Sequence, residues 1–289
     1  MPTSRPGPAA AARRRTPLPR DPSHVAPLPP AFWETLDGAL RELDLELSPG
    51  MREAIAAHAR LLLGWAPYVN LTAIRAPGDV AREHVADSLA ALPVLLRWIG
   101  AGSSARRAPR LVDLGSGAGY PGLPLALALP VASATLVDAI GKKAEFLRAA
   151  TAAAGAAAEL HGEPVPELHV LGTRIEDLAG PSGRRGAWDV ATARAVAPLD
   201  ELLELAMPLL RRDGILLAWK RDAGDGAFPA ELERAARLAP LVGADTRFRV
   251  EPVAVDGLAD HRLVVCTKRR PTPARFPRPP GARRPPLIR

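Results

Sequence analysis

The chain has 289 residues, a net charge of +7 and one cysteine, with 47% hydrophobic and 24% charged residues. That is apolar material for one large core. The lone Cys266 excludes an internal disulfide framework or a cysteine-cluster metal site and points to a reducing cytoplasm.

Residues 1–30 hold nine of the 32 prolines, and Arg5, Arg13, Arg14, Arg15 and Arg20 stand against Asp21 alone. The prolines prevent the amphipathic helix of a transit peptide, so a disordered extension is expected. From 31 to 99 the pattern is helical. Phe32, Trp33, Leu36, Leu40 and Leu43 recur every three or four residues. Ser48-Pro49 starts a second helix with Ile55, Ala59, Leu62 and Leu63 on one face, and a third is expected over 79–98.

After a break at 100–109 the period changes. Strands are expected at 111–114, 134–137, 169–171, 188–193 and 215–219, with helices at 123–129, 142–154, 199–210 and 231–238 between and after them. Two last strands, 248–253 and 263–267, would form an antiparallel edge. This is an α/β pattern, a doubly wound and mostly parallel sheet with an N-terminal helical cap. Residues 114–137 carry no charge and could span a bilayer by length. Four glycines, three prolines and the flanking Asp113 and Asp138 make them a strand, a loop, a short helix and a buried strand instead, so no membrane partner is expected.

Residues 268–289 close the chain with seven prolines, eight Lys or Arg and no acid. Such an arm should be extended rather than packed. The basic tails leave the middle slightly acidic. They serve either solubility or the binding of a polyanion.

The strongest local signal is Asp113-Leu114-Gly115-Ser116-Gly117-Ala118-Gly119-Tyr120, after a strand and before a helix. It sits where a doubly wound sheet binds ligands. A dinucleotide site uses G-x-G-x-x-G. The G-x-G-x-G spacing here, with an acid two residues ahead, suits S-adenosylmethionine, which brings no phosphate. Asp138 at the end of the second strand can accept from both ribose hydroxyls in either case. A purely structural turn is the third reading.

Residues 111–125, LVDLGSGAGYPGLPL, resemble the glycine motif of the bacterial ribosomal RNA small-subunit methyltransferase G family (RsmG, formerly glucose-inhibited division protein B). The Pro121-Gly122-x-Pro124-Leu125 continuation is the specific part. Trp65 with Asn70-Leu71-Thr72, His84-x-x-Asp87-Ser88-Leu89, Gly141-Lys142-Lys143, Arg174-x-Glu176 and Ala193-Arg194-Ala195 through Leu199 resemble further motifs of that family, as does the basic tail. The likeness covers about 31–289. Ala66, Tyr120, Ala139, Lys143 and Arg221 stand where the family commonly has other residues.

The resemblance implies a Rossmann-like class I methyltransferase fold and methyl transfer from S-adenosylmethionine to guanine N7 in 16S ribosomal RNA. It also implies cofactor contacts at Gly115, Tyr120, Ile175, Glu176 and Arg194. The residues themselves add Gly117 and Asp138 to that set. The expected partner is 16S ribosomal RNA or the small ribosomal subunit, with no DNA, and the expected form is a cytoplasmic monomer. The other readings are a small-molecule methyltransferase with a helical lid and a non-catalytic RNA-binding factor.

Guanine N7 carries an in-plane lone pair and no proton, so no catalytic base and no metal are assigned. Alignment should supply most of the rate. His84 is expected to pack or cap a helix, Asp87 to cap or to pair with Arg82, and Asn70 to organise a turn. Lys142, Lys143, Lys220 and Arg221 are candidate RNA contacts. Arg194, at a strand end in a parallel sheet, is costly unless paired or ligand-bound.

Overall fold

The computed structural model describes residues 17–101, 107–180 and 183–279. Two helices, α1 (Pro30–Glu42) and α2 (Pro49–Trp65), open the folded chain. Ser48 caps α2, its hydroxyl oxygen accepting from the Met51 N–H at 3.2 Å. Pro49 takes the first turn, where its missing N–H costs nothing. The single helix expected over 79–98 is a relay instead. It comprises α3 (Pro77–Asp79), a π-helical stretch Val80–Ala86, α4 (Asp87–Leu89) and α5 (Leu92–Gly100). The wide turns lie where His84 and Asp87 meet the sheet, a common setting for π turns.

Five parallel strands follow: β1 (Arg110–Leu114), β2 (Ser133–Val137), β3 (Glu167–Leu171), β4 (Trp188–Arg194) and β5 (Leu210–Arg221). β6 (Arg249–Pro252) and β7 (His261–Thr267) complete an antiparallel edge. The order is β3-β2-β1-β4-β5-β7-β6. The connections are α6 (Gly122–Ala128), α7 (Gly141–Leu160), α8 (Ile175–Leu178), α9 (Leu199–Ala206) and α10 (Ala227–Val242). Strand order reverses between β1 and β4, which opens a crevice outside their carboxyl ends.

Alternate residues of β1 feed the two faces. Leu111 joins a core with Phe32, Trp65, Leu89 and Phe146. Val112 and Leu114 join the other, with Leu203, Phe228 and Phe276. The N-terminal helices therefore share a continuous core with α6 and α7.

Both tails depart from expectation. The extension is packed from residue 17 onward, and residues 1–16 lie outside the described part. Leu18, Val25 and Leu28 pack on the core, and the Trp65 indole N–H donates to Pro19 O at 2.6 Å. The C-terminal arm is likewise anchored to the body, at Lys268, Thr272, Phe276 and Arg278, while 280–289 lie outside the described residues. Phe276 is 1% exposed. Arg278 grips the buried Glu204 carboxylate at 2.7 and 3.0 Å. The Arg185 guanidinium donates to Phe276 O at 2.6 Å and Thr272 O at 2.9 Å. Proline-rich chain lacks periodicity but still has carbonyls and side chains to anchor, and here buried partners receive them.

Arg278→Ala should cost about 3–5 kcal/mol in denaturant unfolding, because it leaves the Glu204 carboxylate buried without its charge partner. Glu204→Leu should cost less, since the Arg278 head can turn to water.

Candidate functional site

The glycine loop is stitched to the second strand before any ligand is considered. The Ser116 N–H donates to Val137 O at 2.9 Å. The Ser116 hydroxyl donates to Asp113 O at 3.0 Å and accepts from the Val137 N–H at 3.1 Å. Gly115 has φ +67°, and a Cβ there would lie 2.8 Å from a Val196 methyl. Only glycine fits. The Asp138 carboxylate accepts from the Gly117 N–H at 3.0 Å and the Ile140 N–H at 2.8 Å. The acid expected to hold a ribose therefore also holds the loop. Beneath it Asp113 is fully buried and accepts from the Thr192 hydroxyl at 2.7 Å. Burial raises its carboxyl to about 6. Gly122 makes room for it, since a Cβ there would sit 2.5 Å from the Asp113 Cβ.

Two cavities meet above this loop. The smaller, about 320 Å³, is lined by Asp138, Ile175 and Glu176. The larger, about 540 Å³, is lined by Gly117, Tyr120 and Arg194. Gly115 and Ala195 border both. All seven sequence-derived site residues thus converge on one crevice, divided into two compartments. Ala195 has φ +56°, a left-handed conformation that costs a non-glycine residue about 1–2 kcal/mol. It turns the chain directly after Arg194.

Arg194 is engaged from several sides. Its guanidinium donates to Asp87 Oδ2 at 2.9 Å, Glu83 O at 2.8 Å and His84 Nδ1 at 2.9 Å. Asp87 is 0% exposed and also accepts from His261 Nδ1–H at 2.9 Å. Its backbone carbonyl accepts from the Trp219 indole at 3.0 Å. Asp87 therefore does not pair with Arg82, which reaches Asp79 at 3.4 Å.

With Nδ1 accepting from Arg194, His84 carries its hydrogen on Nε2, which donates to the Thr72 hydroxyl at 2.9 Å. Burial and the Arg194 charge push the His84 imidazole down to about 3. The Tyr120 ring lies nearly parallel to His84, with centroids 4.9 Å apart, and to His58 at 4.3 Å. His58 Nε2–H donates to Ala118 O at 2.7 Å, and burial pushes His58 down to about 4.

A family model for rRNA small subunit methyltransferase G matches residues 51–227. The chain belongs to this family. A Chloroflexus aggregans protein called ribosomal RNA small subunit methyltransferase G is 42% identical over 78% of this chain and 85% of its own length. The Deinococcus radiodurans protein of the same name is 35% identical over 88% and 92%. Among solved structures, the CurJ carbon methyltransferase aligns with a TM-score of 0.45 at 14% identity, over 83% of this chain and 67% of that one.

In this member of the methyltransferase G family, motif reading located the loop and Arg194 but missed His58, His261 and Trp219. His261 and Asp87 are 174 positions apart, and no local pattern joins them. Of the candidate RNA contacts, Lys220 is nearly buried, giving its ammonium to Glu231 and Ala197 O, each at 2.7 Å. Arg221 reaches Asp260 at 2.9 Å.

His58 and His84 are held neutral, with folded-state values below the ordinary 6.5. Unfolding then takes up protons below about pH 6.5, so stability is lost as pH falls from there toward 4. Asp113 opposes this over part of the window, because its raised carboxyl is protonated in the folded chain first. Two imidazoles against one carboxyl leave a net loss. The Tm should therefore be lower at about pH 5 than at about pH 7.5. A Tm that does not change would show the imidazoles to be charged in the fold.

Proposed function

We propose that this protein transfers a methyl group from S-adenosylmethionine to N7 of a guanine in 16S ribosomal RNA. The observation that carries the reading is the pair of cavities joined at Gly115. Their combined size is in the range of a small-molecule site with room for a second reactant. The smaller compartment suits adenosine. The Asp138 carboxylate keeps lone pairs for ribose hydroxyls beyond its two backbone bonds, and Ile175 can cover an adenine face beside Glu176. The larger compartment suits the amino-acid end and the target base, with Gly117 and the Tyr120 ring at its wall.

When bound, S-adenosylmethionine supplies an electrophilic methyl on sulfur. The chain's own residues orient and exclude. Arg194 is held by Asp87, Glu83 O and His84, so it presents a fixed charge and donor plane to the larger compartment. The two imidazoles nearest Tyr120 are committed as well. His84 Nδ1 already accepts, its Nε2 carries the hydrogen, and His58 donates to a carbonyl. Side chains spent on positioning suit a nucleophile that needs no deprotonation, as guanine N7 does. Rate then comes from aligning N7, methyl carbon and sulfur. The reading has the protein act in the cytoplasm, as a monomer, on the small ribosomal subunit or its RNA.

The decisive experiment maps 7-methylguanosine in 16S ribosomal RNA from cells with and without this protein. One position should lose the modification and regain it on complementation. An unchanged map would sink the reading. Asp138→Ala should weaken cofactor binding in calorimetry by about 1–3 kcal/mol, the worth of a charge-assisted bond. Unchanged affinity would remove Asp138 from the site. Arg194→Lys keeps a charge beside Asp87 but loses the planar fork. It should stay folded, with methyl transfer per folded molecule down about tenfold or more. A variant that melts early yet transfers at the normal rate would make Arg194 purely structural.

A further inference from the structure

The parallel strands aim their carboxyl ends at the crevice, so their amino ends define an opposite pole. The Lys268 N–H bonds Gly214 O there, at 2.8 Å. Seven residues further along β5, Arg221 lies opposite His261 at the crevice. At about 3.3 Å per residue the two poles are roughly 20 Å apart.

At the far pole a cleft of about 350 Å³ is lined by Arg185, Arg211, Arg212, Lys268 and Arg270, and no carboxylate lines it among the described residues. Arg211 is compensated by the buried Asp189. The others are not matched in the same way. Arg185 donates to the neutral carbonyls of Phe276, Thr272 and Pro273. Lys268 donates to Met207 O and the Thr272 hydroxyl. These bonds fix the two cations and leave their charge in place. Burial, and second the Arg185 charge, push the Lys268 ammonium down to about 8. Arg212 stands at the rim with its side chain 80% exposed, and its nearest carboxylate is 3.9 Å away. Arg270 is exposed beside it.

The crevice is more evenly matched. Arg194, Lys220 and Arg221 are each matched by a carboxylate there. Lys143 and Arg174 also line the crevice, so positive charge is present at both poles, and the far-pole cleft adds a concentration of it away from the methyl-transfer site. We propose that the far-pole cleft is a second RNA contact, which takes backbone phosphates of the substrate RNA at a distance from the target guanine. The proposal rests on the ribosomal RNA reading above for the identity of its polyanion. Two rim guanidinium forks suit phosphate oxygens, and fixed cations behind them hold the field without side-chain ordering at binding. A contact this far from the crevice adds affinity and register without reading the target base.

The test is the full-length Arg212→Gln/Arg270→Gln variant, bound to 16S ribosomal RNA over a series of KCl concentrations. Both side chains are on the surface, and a melting curve checks that the fold is kept. The slope of log affinity against log salt should fall by about 1.4–1.8, for two lost phosphate contacts, and affinity at about 0.1 M salt should drop about tenfold or more. Calorimetric affinity for S-adenosylmethionine should not move, since the cofactor lies at the other pole. An unchanged slope overturns the cleft as an RNA contact. So does a variant that keeps the RNA slope while losing binding to phosphatidylglycerol vesicles, which would make the pole a lipid-facing surface. Methyl transfer by the unaltered protein is read separately. If it fails while the slope difference persists, the enzymatic reading falls and the phosphate contact stands.

Discussion

The ion pair between Asp87 and Arg194 holds the site together. One partner comes from the helical N-terminal region and the other from the carboxyl end of β4, 107 positions away. Asp87 has no contact with solvent, and Arg194, His261 and the rest of the network surround its carboxylate. Each added bond narrows the positions that the guanidinium can take. The helical region is thereby fixed against the crevice as one wall of the larger compartment. The shared core of Phe32, Trp65 and Phe146 supplies cohesion, while the buried pair supplies register.

The same economy runs through the glycine loop. Asp138 and Ser116 spend hydrogen bonds on backbone amides before any ligand arrives, and Asp113 sits sealed beneath Gly122. Ala195 holds a left-handed turn at the one place where both compartments meet. A strained backbone at Ala195 and a buried carboxyl at Asp113 thus lie within a few residues of where the chemistry is proposed, and the packed sheet around them compensates.

Charge is divided between the poles of the sheet. At the crevice, Arg194, Lys220 and Arg221 are matched by carboxylates and oriented. At the amino ends of the strands, several cations are anchored on neutral carbonyls and remain uncompensated. The arm that looks like a loose basic tail is held to the body and belongs to the far pole. Phe276 and Arg278 clamp it to the body, and Lys268 and Arg270 add to the far-pole cleft.

Much of the site was legible along the chain. A glycine run after a strand and before a helix favours a tight ligand-facing turn, and an acid at the next strand end faces the same crevice. Strand and helix patterns likewise set the α/β architecture, because a strand buried on both faces reads as a short apolar run and burial on a helix enforces the three-four spacing. The relay in place of one helix over 79–98 was not legible, since a π turn barely disturbs that spacing. Nor were the packed tails, because proline-rich chain carries no periodicity and its anchors, Trp65 and Glu204, lie far away in sequence. The partners of Asp87 belong with these. Local composition determined which residues could act in this protein. Tertiary structure alone decided which charges meet, because a buried ion pair is set by distance in space, and His261 comes within 2.9 Å of Asp87 only once the sheet has closed over the helices.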